Sequence, residues 1–519
     1  MRIRLIFIFL LCSVFSLSAH SRKVKDKKDY RLVLLINVDQ LRTDFLTEFE
    51  GLYSDGGFRR LLSQGKVYSN AYYAFEQVDR ASATATLMTG TNPYVNGIVG
   101  EKWLDRSSLS IVGCTDDSKQ KGLYTNAGVS PAKLKAVTLA DEIKIATRGK
   151  AKVCAIAPDC DAAVMSGGHA ADIVLWKNDD TGYWCSSSYY GEFPSWAADM
   201  NKRIVGRNSR WEPYFPPEIY DNFGSKSPKS FKYSFNGEDD IRLYKTSACI
   251  NDEVNEMVLA CLNRSNIGLD NITDYLSVTY YAGNYDNQPM EERPIEVQDM
   301  YTRLDRNIAK LLDAIDRRIG LENVLVSFSS TGYVVEGDTD YSSVYRIPSG
   351  EVHIDRIAVL LNVYLSALYG KAQYIEGYYN SQLYINRRII ETMQLDNNDV
   401  VSHAVEFLKS VDGVEDVFTI HRLGGVLSPE LQYVKNGYNY NCSGDICLRL
   451  MPGWRMAKDT ASASNLVRRN AVLFPIIIMG GGVESSLVED MIPGNILAPE
   501  LARILRIRRP NDNCMRVFK

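Results

Sequence analysis

Histidine is scarce in this chain, with five among 519 residues. A metal centre that needs several imidazoles therefore has few residues to draw on. No excess of basic charge exists either. Fifty-nine Lys and Arg stand against 63 Asp and Glu, a net charge of −4, which excludes the basic stripe of a nucleic-acid-binding surface. No CxxC pair is present to suggest cysteine-bound zinc. Beyond the N-terminus, no apolar run approaches the ~20 residues a membrane span requires. Internal repeats and low-complexity tracts are absent as well.

What is present begins with an address. Arg2 and Arg4 precede an apolar run from Leu5 to Phe15, followed by small residues around Ala19 and Ser21. That order predicts a secretory signal peptide over residues 1–21 and a secreted or periplasmic mature chain without a transmembrane segment. The run is too short for a membrane anchor, and no lipobox precedes Cys12. Export places the cysteines in an oxidising compartment. Ten less Cys12 leaves nine, so at least one stays unpaired. Cys442 and Cys447, close together across a Ser-Gly turn, are a candidate disulfide.

The mature chain shows an α/β rhythm. Leu32 to Val38 is a continuous apolar run ending at Asp39, as expected of a strand buried on both faces of a parallel sheet. In such sheets ligand residues sit at the strands' carboxyl ends. Similar runs recur at 152–157, 275–280, 324–328 and 475–479. Between the third and fourth, Met300, Leu304, Ile308, Leu311, Leu312, Ile315 and Ile319 repeat at helical spacing, with Arg317 and Arg318 at the C-terminal end. Strand, crossover helix, strand predicts a mostly parallel sheet with helices on both faces. Residues 179–236 and 369–453 break the rhythm with Tyr, Trp, Pro and Asn-Gly turns, and are expected to be insertions capping the site.

Several segments carry a resemblance. Residues 37–44 (NVDQLRTD), 57–61 (GFRRL), and 88–93 (MTGTNP) with Asn96-Gly97 come first. Residues 167–171 (GGHAA) with Trp176 and Trp184 follow, then the helix and strand after Val297. Gly444-Asp445, 451–454 (MPGW) and 498–502 (APELA) complete the series. In this order they resemble the secreted, two-zinc alkaline phosphatases with a threonine nucleophile, relatives of the nucleotide pyrophosphatases and phosphodiesterases. The resemblance implies a single alkaline-phosphatase-like domain over 22–519 and in-line phosphoryl transfer between two zinc ions. It also implies a site of three Asp, three His and one Thr, with an Asn, a Lys and an Arg about the phosphate.

Position by position, most of that site is replaced. Asp39 keeps the first metal Asp, but the nucleophile position falls on Arg80. The remaining ligand positions fall on Asn284, Gln288, Ser330, Thr331 and Ser464, and the phosphate's Asn, Lys and Arg on Glu101, Asp159 and Asp161. His169, His353, His403 and His421 match no ligand position. Losing even outer-shell partners of a metal costs ~10–100-fold, so a non-catalytic pseudophosphatase with a binding or structural role and no cofactor is expected. Its partner, protein or small molecule, is not named by the sequence. In this reading Arg80 pairs with Asp39, and with Asp159 or Asp161, in place of zinc. Three alternatives stay open: an ester hydrolase with an atypical metal set; an oxygen-only Ca²⁺ or Mg²⁺ site from Asp39, Glu101, Asp159, Asp161 and Asp286; and a sensor for a small cationic ligand. Ser82, Thr84 and Thr86 are expected to cap the helix after Arg80 rather than to serve as nucleophiles.

Overall fold

Ten strands form the central sheet: β1 (Leu32–Asp39), β2 (Lys66–Tyr72), β3 (Gly122–Leu123), β4 (Val153–Ile156), β5 (Ile173–Lys177), β6 (Trp184–Ser187), β7 (Asp274–Tyr281), β8 (Val324–Ser330), β9 (Phe474–Gly480) and β10 (Ser486–Pro493). In space they run β10-β2-β9-β8-β1-β7-β4-β5-β6-β3. The middle five, β8 to β5, are all parallel. β9 joins β8 antiparallel, and β6 joins β5 antiparallel. This computed structural model describes residues 30–202, 209–221, 230–236, 240–288, 290–337, 348–425, 428–457 and 467–511. The leader over 1–21 and Ser464 lie outside them.

Every residue of β1 is buried. Leu32, Leu34, Ile36 and Val38 enter one core cluster, while Val33 and Leu35 enter another on the opposite face. Helices cover both faces for that reason: α1 (Arg80–Thr89), α2 (Cys160–Gly167), α3 (Cys249–Arg264) and α4 (Pro294–Ile319). Helices α3 and α4 pack on the first face, and α1 and α2 on the second. The α4 residues expected to face the core are all buried, each worth ~1.5–3 kcal/mol. Pro294 opens the helix at its first turn, where its missing N–H costs nothing.

The five expected strands are all in this sheet, but β9 runs antiparallel to its neighbours. A continuous apolar run reports burial on both faces and carries no information on direction.

The two irregular stretches behave differently. The first contains the helix Ser195–Asn201 and a ribbon of Ser209–Trp211 with Tyr233–Phe235. Its Trp184, Trp211, Tyr220 and Phe235 join the core cluster of α3 and α4. Buried Asp299 of α4 anchors it, accepting bonds from Trp211 Nε1 (2.6 Å), Tyr220 Oη (2.7 Å), the Tyr214 amide (2.6 Å) and Arg303 Nε (2.9 Å). The second belongs to a layer with its own core, in which the helices Ile354–Tyr369 and Asn397–Lys409 cover a four-stranded antiparallel sheet. Arg106–Asp445 (2.9 Å) and Arg449–Glu76 ion pairs tie this layer to the rest.

Candidate functional site

Parallel strands deliver their carboxyl ends to one rim, and three elements meet there. β1 ends on Asp39. Just past β4, Asp159 is the N-cap of α2 and Asp161 lies in its first turn. Arg80 is the first residue of α1. Asp79 fixes that helix start. Its Oδ1 accepts from the Ser82 amide (2.9 Å), the Asp79 amide donates to Ser82 Oγ (3.0 Å), and its Oδ2 accepts from the Glu101 amide (2.6 Å). Of the three hydroxyls expected to cap, only Ser82 does so. Thr84 and Thr86 lie past the first turn, buried within α1.

The Arg80 guanidinium reaches all three carboxylates: Nε to Asp161 Oδ1 at 2.8 Å, Nη1 to Asp159 Oδ2 at 3.2 Å, and Nη1 to Asp39 Oδ2 at 3.6 Å. A cation at a helix N-terminus opposes the helix dipole by ~0.3–1 kcal/mol, which the three carboxylates offset. A second cation, unforeseen in the sequence, completes the row. Lys245, at the end of the helix Ile241–Lys245, lies 2.5 Å from both Asp159 Oδ1 and Asp179 Oδ1. Asp159 thus bridges Lys245 and Arg80. No motif surrounds Lys245, and only the folded chain brings it beside Asp159.

Burial is the dominant influence on the acids. It pushes Asp39 up to about 6, against the pull of Arg80 and a hydrogen bond from Thr331, with Asp159 and Asp161 adding to the rise. Asp161 is raised for the same reason, with Arg80 only partly compensating. Burial also works on Asp159, but Arg80 and Lys245 together bring it below the usual carboxylate range. Arg80 gains from Asp159, Asp161, Glu101 and Asp39 more than burial takes away, and its charge is held above the ordinary guanidinium range.

The positions that the resemblance assigns to metal ligands are bonded within the protein, Thr331 and Ser330 through their hydroxyls and Asn284 and Gln288 through their backbone. Thr331 Oγ1 donates to Asp39 Oδ1 (2.9 Å) and accepts from the Gln40 amide (2.9 Å). Ser330 Oγ donates to the Leu41 carbonyl (3.3 Å). Asn284 lies in the loop after β7, its backbone carbonyl accepting from Tyr281 Oη (3.0 Å), and the Gln288 backbone amide donates to the Tyr285 carbonyl (3.2 Å). Gly332 must be glycine: its φ is +62°, and a Cβ would stand 2.5 Å from Phe474 and 2.7 Å from Tyr73.

This donor set does not fit a pair of zinc ions. Of the positions that the resemblance assigns to metal ligands, only Asp39 is acidic where two metals need about six donors, and a guanidinium stands among the carboxylates. Three of the histidines are engaged elsewhere. His169 bridges Asp141 and the Leu134 carbonyl (both 3.0 Å), His353 faces Glu351 (3.5 Å), and His403 meets Tyr369 (2.6 Å). Among the described residues no group of three His, Cys, Asp or Glu is arranged to hold a metal. Asp286, counted with the oxygen-only cation site, pairs with Arg242 (2.9 Å) instead. The expected Cys442–Cys447 disulfide is not formed, and both thiols are free. Closeness in sequence does not bring them together, because Cys447 is held within the strand Ile446–Leu450, paired to Gln382 and Phe418 on either side.

Comparison with known proteins agrees with this architecture. The family model of type I phosphodiesterase / nucleotide pyrophosphatase matches residues 33–470. Alkaline phosphatase PafA of Elizabethkingia meningoseptica is 27% identical over 93% of this chain and 92% of its own. A Myroides odoratus protein named a calcium-transporting ATPase is 27% identical over 98% and 97%. A solved structure of wild-type alkaline phosphatase PafA superposes with a TM-score of 0.79 at 25% identity, covering 93% of this chain and 97% of that one. With the family's sheet and the order of its motifs in place, this chain belongs to the type I phosphodiesterase / nucleotide pyrophosphatase family, within the alkaline phosphatase superfamily.

Proposed function

We propose that the chain is a non-catalytic member of its family, an exported pseudophosphatase that binds a partner rather than hydrolysing an ester. The observation that supports this reading is the ion pairing of Arg80, which the resemblance sets at the nucleophile position, to Asp39, Asp159 and Asp161. A guanidinium stays protonated and attacks nothing. In-line phosphoryl transfer needs an activated hydroxyl and stabilisation of charge on the oxygens. Here Asp159 and Asp161 stand where the resemblance implies cations. At ~4 Å each unit of like charge opposes a phosphate by about 4 kcal/mol at an effective dielectric of ~20. Lys245 and Arg80 are already engaged with carboxylates.

Export rests on the N-terminal leader, and no described helix is long and apolar enough to cross a membrane. Exposed aromatic rings, among them Tyr94, Tyr124, Tyr214 and Tyr440, support partner binding. The phosphatase names of the relatives favour the other reading, ester hydrolysis with an atypical metal set. One pair of measurements separates the two: metal content of the purified full chain by mass spectrometry, and turnover of p-nitrophenyl phosphate. Substoichiometric zinc and no turnover above buffer are expected. Two bound zinc ions with turnover would overturn the proposal.

A further inference from the structure

Beneath the ion-pair cluster, a column of polar side chains runs down the sheet face that α1 covers. On this face β1 presents Val33, Leu35, Asn37 and Asp39 in alternation. Parallel pairing sets Thr279 of β7 and Ser329 of β8 on either side of Asn37, and Ser327 of β8 beside Leu35. One level further in, Val33 lies between Tyr275 and Leu325, and all three join the core cluster that also takes Ala83 and Leu87 of α1. Helix α1 lies along the column. Arg80 reaches Asp39 at one end, and Met88 Sδ accepts from the Tyr275 hydroxyl (3.4 Å) at the other. Thr84 is midway between them on the same helix stripe, because residues four apart share a face, and so it meets the Asn37 level.

Asn37 Nδ2, Thr84 Oγ1, Thr279 Oγ1 and Ser327 Oγ have no hydrogen-bond partner among the described residues. Each of these side chains is at most 1% exposed. Ser329 Oγ donates to Asn37 Oδ1 (3.4 Å), so the amide hydrogens are the unmatched part of Asn37. At the head of the column Asp39 Oδ2 also lacks a hydrogen-bond donor, its Arg80 contact being 3.6 Å. A buried donor or acceptor left unmade is costly, and polar groups that converge in this way are matched in folded proteins by internal water.

We propose that this column is an internal water-binding site, with ordered water held between Asn37, Thr84, Thr279 and Ser327 and extending inward from Asp39. The donor set selects the ligand. The hydroxyls both donate and accept, whereas the amide nitrogen only donates. That nitrogen repels a metal cation, and Asp39 and Asp161 at the head of the column repel an anion. Water, which both donates and accepts, matches the mixture. It also offers Asp39 Oδ2 a donor from the inner side, where Arg80 does not reach hydrogen-bonding distance. The site follows from the packing of α1 on the sheet, whether or not the chain is catalytic.

Crystallography of the full chain, at a resolution that shows ordered solvent, tests the site directly. Water within hydrogen-bonding distance of at least two of Asn37 Nδ2, Thr84 Oγ1, Thr279 Oγ1 and Ser327 Oγ is expected. A dry column, or these atoms bonded to one another or to backbone carbonyls, would overturn the proposal. Thr84→Val and Thr279→Val give a second readout in solution, because each keeps the shape of the side chain and deletes the hydroxyl. A hydroxyl that holds water takes that water's bonds with it, and the melting temperature should fall by about 1–2 °C. A bare buried hydroxyl is itself destabilising, so its removal should raise the melting temperature. Either variant melting at or above the wild type would remove its hydroxyl from the site, and both doing so would overturn the proposal. Should a variant fail to fold, the wild-type crystal still decides.

Discussion

Arg80 Nη1 stands 3.6 Å from Asp39 Oδ2, so the residue that the resemblance sets at the nucleophile position pairs with the one it sets at the first metal Asp. An aspartate 2% exposed at a strand end is costly without a cation. The guanidinium supplies that cation permanently, and from the same direction it holds Asp159 and Asp161. The site thereby becomes an internal ion-pair cluster rather than a place for an external metal.

Removing the cation should therefore be expensive in a pH-dependent way. Arg80→Met leaves the buried Asp39 and Asp161 and the partly buried Asp159 to share only Lys245, and breaking a buried pair costs about 3–5 kcal/mol. The loss should be largest near pH 8. At pH 5 it should shrink, because Asp39 and Asp161, both already raised, can take up protons in the folded state. Urea unfolding of wild type and variant at the two pH values measures this. Equal losses at both would mean that Arg80 does not compensate these carboxylates.

Restoring the hydroxyl should not restore chemistry. Arg80→Thr places a hydroxyl where the resemblance sets the nucleophile, yet Ser330, Thr331, Asn284 and Gln288 still offer no imidazole and only neutral side chains. With millimolar zinc present, p-nitrophenyl phosphate turnover should stay at the wild-type level, and bound zinc should stay below one ion per chain. A gain of two zinc ions would show that Arg80 alone excludes the metal pair.

Asp39 also makes the wild type pH-sensitive. Its folded-state value of about 6 lies above the ordinary 3.8, so the folded chain binds this proton more tightly than the unfolded one. The resulting stabilisation is fully present below about pH 3.8 and is lost as pH rises towards 6, a span worth about 3 kcal/mol. Asp39→Asn keeps an acceptor for Thr331 but has no proton to exchange. Urea unfolding between pH 4.5 and 7.5 should show wild-type stability falling more steeply with pH than that of the variant. Parallel profiles would rule out Asp39 as the titrating group.

The scaffold was legible because its signals are long and local. The unbroken run at β1 and the helical spacing of α4 each fix an element and its buried face. Arg80 was singled out because Thr89-Gly90 sets its register within the resemblance, and the structure brings it together with Asp39, Asp159 and Asp161 as that reading expected. Lys245 was not, since a lone lysine at the end of a five-residue helix has no local pattern. It acquires meaning only when α3 packs on β4 and β7. The Cys442–Cys447 expectation failed for a related reason. Nearness in sequence says little about residues held by a strand.

The aromatic segment between β6 and α3 depends on one carboxylate in the same non-local way. Asp299 is 0% exposed and accepts from Trp211, Tyr214, Tyr220 and Arg303. Asp299→Ala leaves two buried donors, Trp211 Nε1 and Tyr220 Oη, without their acceptor. Each such orphan costs ~1–3 kcal/mol. The folded chain should lose about 3–5 kcal/mol in urea unfolding, accompanied by a change in tryptophan fluorescence as Trp211 loses its partner. Asp299→Asn retains one oxygen and should cost less, because part of the acceptor set survives. If the alanine and asparagine variants matched the wild type in stability, Asp299 would not be the anchor of this segment, and the packing of Trp211 and Phe235 against α3 and α4 would have to hold it unaided.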